Sequence, residues 1–94
     1  MANKIIFETP AGYELNSEEY YENRKINSGR SNKTCCFCGK NIPKGQPHTM
    51  HHFYPEFYAY PTHDMDENHG DNLKEGEKSC TQKLKEGLGL PSYY

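Results

Sequence analysis

Cys35, Cys36 and Cys38 stand almost side by side, Gly39 follows at once, and the fourth cysteine, Cys80, lies downstream of five histidines. Two residues separate Cys35 from Cys38, the spacing of a zinc knuckle. Two thiolates so placed grip one tetrahedral ion, while a glycine lets the backbone turn beneath the sulfurs. Cys80 is the third candidate ligand. His63 is the fourth, because it follows the second of two expected strands, where a hairpin should return towards the knuckle. His69 and Glu77 are the alternatives. Cys36 neighbours both knuckle sulfurs but cannot easily share their ion, and a buried free cysteine behaves as a small hydrophobe. A competing chemistry is redox, with Cys35 and Cys38 closing a reversible disulfide; the glycine, Cys80 and the histidines favour zinc.

The composition explains why such a staple is needed. The chain has 94 residues, 33% hydrophobic content and no tryptophan, with a mean hydropathy of −1.09. Small domains bury a poor fraction of their surface and often lean on a metal or on disulfides. A net charge of −2 and a pI near 6.2 argue against a wholesale nucleic-acid coat. The charges are nevertheless segregated. Arg24, Lys25, Arg30 and Lys33 form a basic group that offers a phosphate contact, and Asp64, Asp66, Glu67 and Asp71 form an acidic one. The first residues contain only three consecutive apolar side chains, Ile5, Ile6 and Phe7, before Glu8, so no secretion signal is expected. No run approaches the roughly 20 apolar residues of a spanning helix. A cytoplasmic protein without a membrane role is the expectation, and in a reducing compartment cysteines read as metal ligands before disulfides.

The elements that must position these residues follow from pattern. Residues 4–8 and 13–15, broken by Pro10-Ala11-Gly12, predict a short hairpin. Asn16-Ser17-Glu18-Glu19 has the form of a helix start, predicting a helix over 17–26. Residues 27–34 are polar and read as a linker. Residues 1–34 thus form an N-terminal hairpin, helix and linker, and 35–94 the metal-binding part. In that part, residues 48–54 and 57–60, aromatic-rich, predict two strands reversing at Pro55-Glu56. Residues 62–78 predict a long loop. Ser79 caps a short helix through residue 86, closed by Gly87 and Gly89. Tyr54, Phe57, Tyr58 and Tyr60 suit either a base-stacking platform or the filling of a core short of other hydrophobes; the second is the commoner use.

Knuckle, hairpin, then a helix with a ligand in its first turn is a treble-clef plan. The fold class expected is α+β, a small zinc-stabilised treble clef with an N-terminal hairpin–helix extension. Cys35-x-x-Cys38-Gly39-Lys40-x-Ile42-Pro43-Lys44-Gly45, ending in Cys80-x-x-x-Leu84, resembles the small treble-clef zinc proteins common in phage genomes and, more distantly, the PARP-type finger. Such modules place a His-x-x-Cys pair at the helix start, where this chain has Glu77. The resemblance implies Zn²⁺ as the cofactor and a non-enzymatic accessory module acting on a host factor. The sequence is also similar in part to the HNH nuclease family, through Cys35-x-x-Cys38, His51-His52-Phe53-Tyr54-Pro55 and Asn72-Leu73. That likeness implies His52 as general base, His51 as ligand of a catalytic divalent ion and Asn72 as the group orienting the base. Thr81 stands where the family has a further histidine or asparagine. The leading expectation is a binding module whose partner is a host protein, with nucleic acid reached through Arg24, Lys25, Arg30 and Lys33 as the other possibility; the alternative is an HNH-type endonuclease or its degenerate descendant.

Overall fold

Short strands with aromatic and β-branched residues must find partners for their backbone groups, and among the described residues they do so in three small antiparallel sheets. The computed structural model describes residues 5–54, 59–66 and 73–90. The first sheet is a hairpin of β1 (Ile6–Glu8) and β2 (Glu14–Asn16). The second joins β4 (Lys33–Thr34) to β5 (Asn41–Ile42) around the knuckle. The third has the order β3-β6-β7, from β3 (Tyr20–Ile26), β6 (His48–Phe53) and β7 (Ala59–His63). The helix α1 (Cys80–Gly87) follows. Among the described residues no helix is long and apolar enough to cross a membrane.

The helix expected over 17–26 does not form. Asn16 does accept a hydrogen bond from the Glu18 amide, but the turn it caps is a single 3-10 turn, Ser17–Glu19. From Tyr20 the chain becomes β3, paired with β6 from Tyr20↔Phe53 to Ile26↔His48. The reason is tertiary. A lone helical turn is costly to nucleate and this one has only a thin apolar face. Strand pairing instead places Tyr20 in the core, against Phe53 with ring centroids 5.1 Å apart. Arg24 and Lys25 therefore lie on a strand, not at a helix end. The second aromatic segment also shifts: its strand runs from Ala59, so Thr62 and His63 end a strand where a loop was expected. The expected reversal at Pro55-Glu56, with Phe57 and Tyr58, lies outside the described residues.

The helix over the last cysteine agrees with its sequence signals. Ser79 Oγ accepts from the Gln82 amide and the Gln82 side chain accepts from the Ser79 amide, a reciprocal capping box. α1 then turns Leu84 and, just beyond it, Leu88 into a cluster with Leu15, Tyr20, Cys36 and Phe53. Cys36 is thus a core residue: it is 1% exposed, and burial, with the Cys35 charge assisting, pushes its thiol above the ordinary range. Tyr60 packs edge-on against Phe53 and Tyr13, so it fills the core, whereas Tyr54 is exposed and lies over Tyr21 with centroids 4.1 Å apart.

The N-terminal hairpin closes over both knuckle and helix. Phe7 stacks on Phe37, the Thr9 hydroxyl donates to the Cys36 carbonyl at 2.6 Å, and the Ala11 amide donates to the Phe37 carbonyl at 3.1 Å. Phe7 also fills the space beside Gly87, where an added Cβ would meet three ring carbons at 2.7–2.9 Å. Alanine in a helix gains about 1 kcal/mol over glycine, but overpacking costs about 1–3 kcal/mol. Gly87→Ala is therefore expected to lower stability by about 1 kcal/mol in chemical denaturation, and Phe7→Leu should relieve the loss.

Candidate metal centre

Cys35, Cys38, His63 and Cys80 come together from four places in the chain. Cys35 follows β4, Cys38 ends the knuckle turn, His63 is the last residue of β7 and Cys80 the first of α1. Their ligand atoms all lie within 4.8 Å of one another. Around a tetrahedral zinc ion with bonds of about 2.3 Å to sulfur and 2.0 Å to nitrogen, edges are about 3.5–3.8 Å. The Cys38 Sγ to His63 Nδ1 distance is 3.5 Å, a sulfur–nitrogen edge of that size.

The local backbone explains the convergence. The Gly39 amide donates to the Cys35 carbonyl and the Cys35 amide to the Lys40 carbonyl, both at 2.9 Å. This turn needs a positive φ, and Gly39 supplies it at +77°. The Cys36 amide donates to the Pro61 carbonyl at 2.8 Å, tying the knuckle to β7 and bringing His63 to the sulfurs. Ile42 packs directly on Cys35 and Cys80. Cys80 opens α1, where the helix dipole favours a thiolate.

His63 carries the clearest sign of a ligand. Its Nε2 lies 3.0 Å from the Asn41 carbonyl. A carbonyl only accepts, so Nε2 holds the proton and Nδ1 presents a bare lone pair to the cluster. Metal-binding histidines are oriented in this way by a second group. Asn41 was not foreseen from the sequence, because a backbone carbonyl leaves no mark in residue type. Contact with Cys80, the largest cause, pulls the Cys35 thiol well below its ordinary range, against its burial and with help from His63. Burial, the largest cause, raises Cys38. A cation among the sulfurs would supply the positive charge that converging thiolates require.

The other candidates stand elsewhere. Glu77 is exposed, its Oε1 accepting from the Lys74 amide at 2.8 Å. His69 and Asn72 lie outside the described residues. His51 and His52 face opposite sides of the sheet. His52 lies against the Tyr21 ring. His51 is fully buried, with Nδ1 at 2.7 Å from the Tyr20 hydroxyl and Nε2 at 2.7 Å from the Thr62 hydroxyl. Both nitrogens are engaged, so coordinating an ion would mean breaking one of these bonds.

His51 belongs to a relay of hydroxyls whose direction its far end sets. The Asp64 carboxylate accepts from Thr81 at 2.6 Å and from Thr49 at 2.8 Å. Thr81, having given its proton to Asp64, accepts from Thr62 at 2.7 Å, and Thr62 accepts from His51 Nε2–H. Tyr20 then donates to Nδ1. Asp64, expected in the acidic surface group, is instead a structural acceptor. Comparisons with protein-family models, curated proteins and solved structures gave no match.

Proposed function

We propose that Cys35, Cys38, His63 and Cys80 hold one structural zinc ion, and that knuckle, β6–β7 hairpin and α1 form a treble clef serving as a non-enzymatic binding module. The observation that carries this is the closed set of four ligand atoms within 4.8 Å, three of the residues fully buried and the histidine proton already committed to Asn41. Structural zinc sites use four protein ligands, whereas catalytic sites keep a position for water or substrate. Three thiolates and one imidazole select zinc over hard cations such as magnesium, which take oxygen. The ion would join parts of the chain that share two small cores.

The partner is proposed to be a protein, a reading supported by the net charge of −2. In the basic group, Arg24 is paired with Glu22 at 2.9 Å, whereas Lys25, Arg30 and Lys33 have no ion pair among the described residues.

The ligand assignment is tested by zinc retention against a chromogenic chelator. His63→Ala should raise the zinc dissociation constant by more than about 100-fold, the upper end of what losing an outer-shell group costs. His69→Ala should leave it within a factor of about three. The reverse order would move the fourth ligand to His69.

A further inference from the structure

A half-open pocket of about 300 Å³ lies beside the β3–β6 pair, lined by Ile26, Ser28, Gly29, Arg30, Lys33, His48 and Met50. None of these is a member of the metal cluster. Ile26 and His48 are cross-strand partners, and Met50 lies two residues along β6, so the three share one face of the sheet. They supply an apolar wall with an imidazole in it. Arg30 is exposed and Lys33 half-buried at the rim, and neither is in an ion pair among the described residues. No acidic side chain lines the pocket among those residues.

His48 adds a specific demand. It is 1% exposed, and its Nδ1 lies 3.1 Å from the Gln46 carbonyl. That carbonyl can only accept, so Nδ1 carries the proton, and in the neutral ring Nε2 is a bare acceptor. This Nε2 is buried without a hydrogen-bond partner, a state that costs free energy until a donor arrives. The Gly29 loop lies against this ring. The Gly45 amide donates to the Gly29 carbonyl at 2.9 Å and the Lys44 amide to Asn32 Oδ1 at 2.8 Å, holding the loop in place. Gly29 sits so close that an added Cβ would come 2.9 Å from His48 Cε1.

The pocket thus sets an apolar wall of Ile26 and Met50 beside two cations that have no ion pair among the described residues, with a covered acceptor, His48 Nε2, next to it. Cations alone would suit any small anion, and the wall alone any apolar group. The combination, at the lower end of the size range of small-molecule sites, suits an anion that also carries a planar ring and a hydrogen-bond donor. We propose that this pocket binds a nucleoside monophosphate, with the phosphate at Arg30 and Lys33, the base against Ile26 and Met50, and an N–H or hydroxyl of the ligand donating to His48 Nε2. Its lining includes no proposed zinc ligand, although the fold that builds it rests on that ion.

The test is an NMR titration of the ¹⁵N-labelled, metal-loaded full chain with adenosine 5′-monophosphate, adenosine and inorganic phosphate, zinc content being measured alongside. Adenosine monophosphate should shift the amides of residues 26–33 and 48–50 with a dissociation constant on the order of 100 µM. Adenosine and phosphate alone should each bind at least tenfold more weakly, and the folded Arg30→Ala/Lys33→Ala variant should lose at least tenfold in affinity for the monophosphate. No shift at these amides at about 5 mM ligand, well above that constant, would overturn the proposal. So would unchanged affinity in the double variant, or phosphate binding as tightly as the nucleotide.

Discussion

Cys80→Ser should leave a chain that neither retains zinc nor folds. Structural zinc contributes folding free energy of about 10 kcal/mol or more, while small domains hold a net stability of only about 5–15 kcal/mol. Cys80 is fully buried and opens the helix that places Leu84 and Leu88 in the core. Losing the ion therefore releases α1 from both the knuckle and the sheet. Far-UV circular dichroism of the variant, and of the wild type after chelation, should show loss of ordered structure, and only the wild type should recover on zinc addition. Cys36→Ser is the control. Cys36 sits among Leu15, Tyr20 and Leu84 and has no place in the cluster. Its loss should cost about 1–3 kcal/mol for a poorly paired buried hydroxyl, with zinc retained. A Cys80→Ser protein that stayed folded would show that the cores alone hold the fold.

Acid should destabilise the zinc-loaded protein partly through His51. Burial, chiefly, with the nearby Lys85 and His52 assisting and Cys35 opposing, lowers its pKa from 6.5 to about 3. The Tyr20 hydroxyl and Thr62 hydroxyl face its two nitrogens. The folded pKa lies below the unfolded one, so the folded state prefers the neutral ring. The contribution is complete above pH 6.5 and is lost progressively as pH falls towards 3, because only the unfolded chain takes up the proton in that window. One such group gives a slope of about 1.4 kcal/mol per pH unit, hence about 2 kcal/mol between pH 6.5 and 5.0. Zinc release also follows acidification, so the difference between variants isolates the histidine. His51→Gln, which cannot titrate, should be less stable at pH 7 but show a shallower decline over this window at saturating zinc. Parallel pH–stability curves for the two proteins would remove His51 from the account.

The metal cluster was readable because its information is local or chemical. Cys35, Cys38 and Gly39 define a turn within five residues, and Ser79 with Gln82 defines the start of the helix that carries Cys80. His63 could be chosen among five histidines only by asking where a hairpin would return. The error over residues 17–26 has a physical source. Asn16 and Ser17 do begin a turn, but the choice between helix and strand was made by β6, far away in sequence, through Tyr20 and Phe53. The same distance hides the relay from Tyr20 to Asp64, whose six residues come from three strands, the segment after β7 and the helix. Asp64 read as surface charge because nothing in its neighbours announces Thr49 and Thr81. The pocket at His48 was equally invisible. Its cations were noted as a basic group, but the apolar wall and the unpaired nitrogen arise only once β3 is a strand.

X-ray absorption at the zinc edge of freshly purified, reduced protein addresses the central claim most directly. One zinc per chain is expected, with three sulfur neighbours at about 2.3 Å and one nitrogen at about 2.0 Å, and no bound water oxygen. Absence of zinc, or a shell with fewer than three sulfurs, would contradict it.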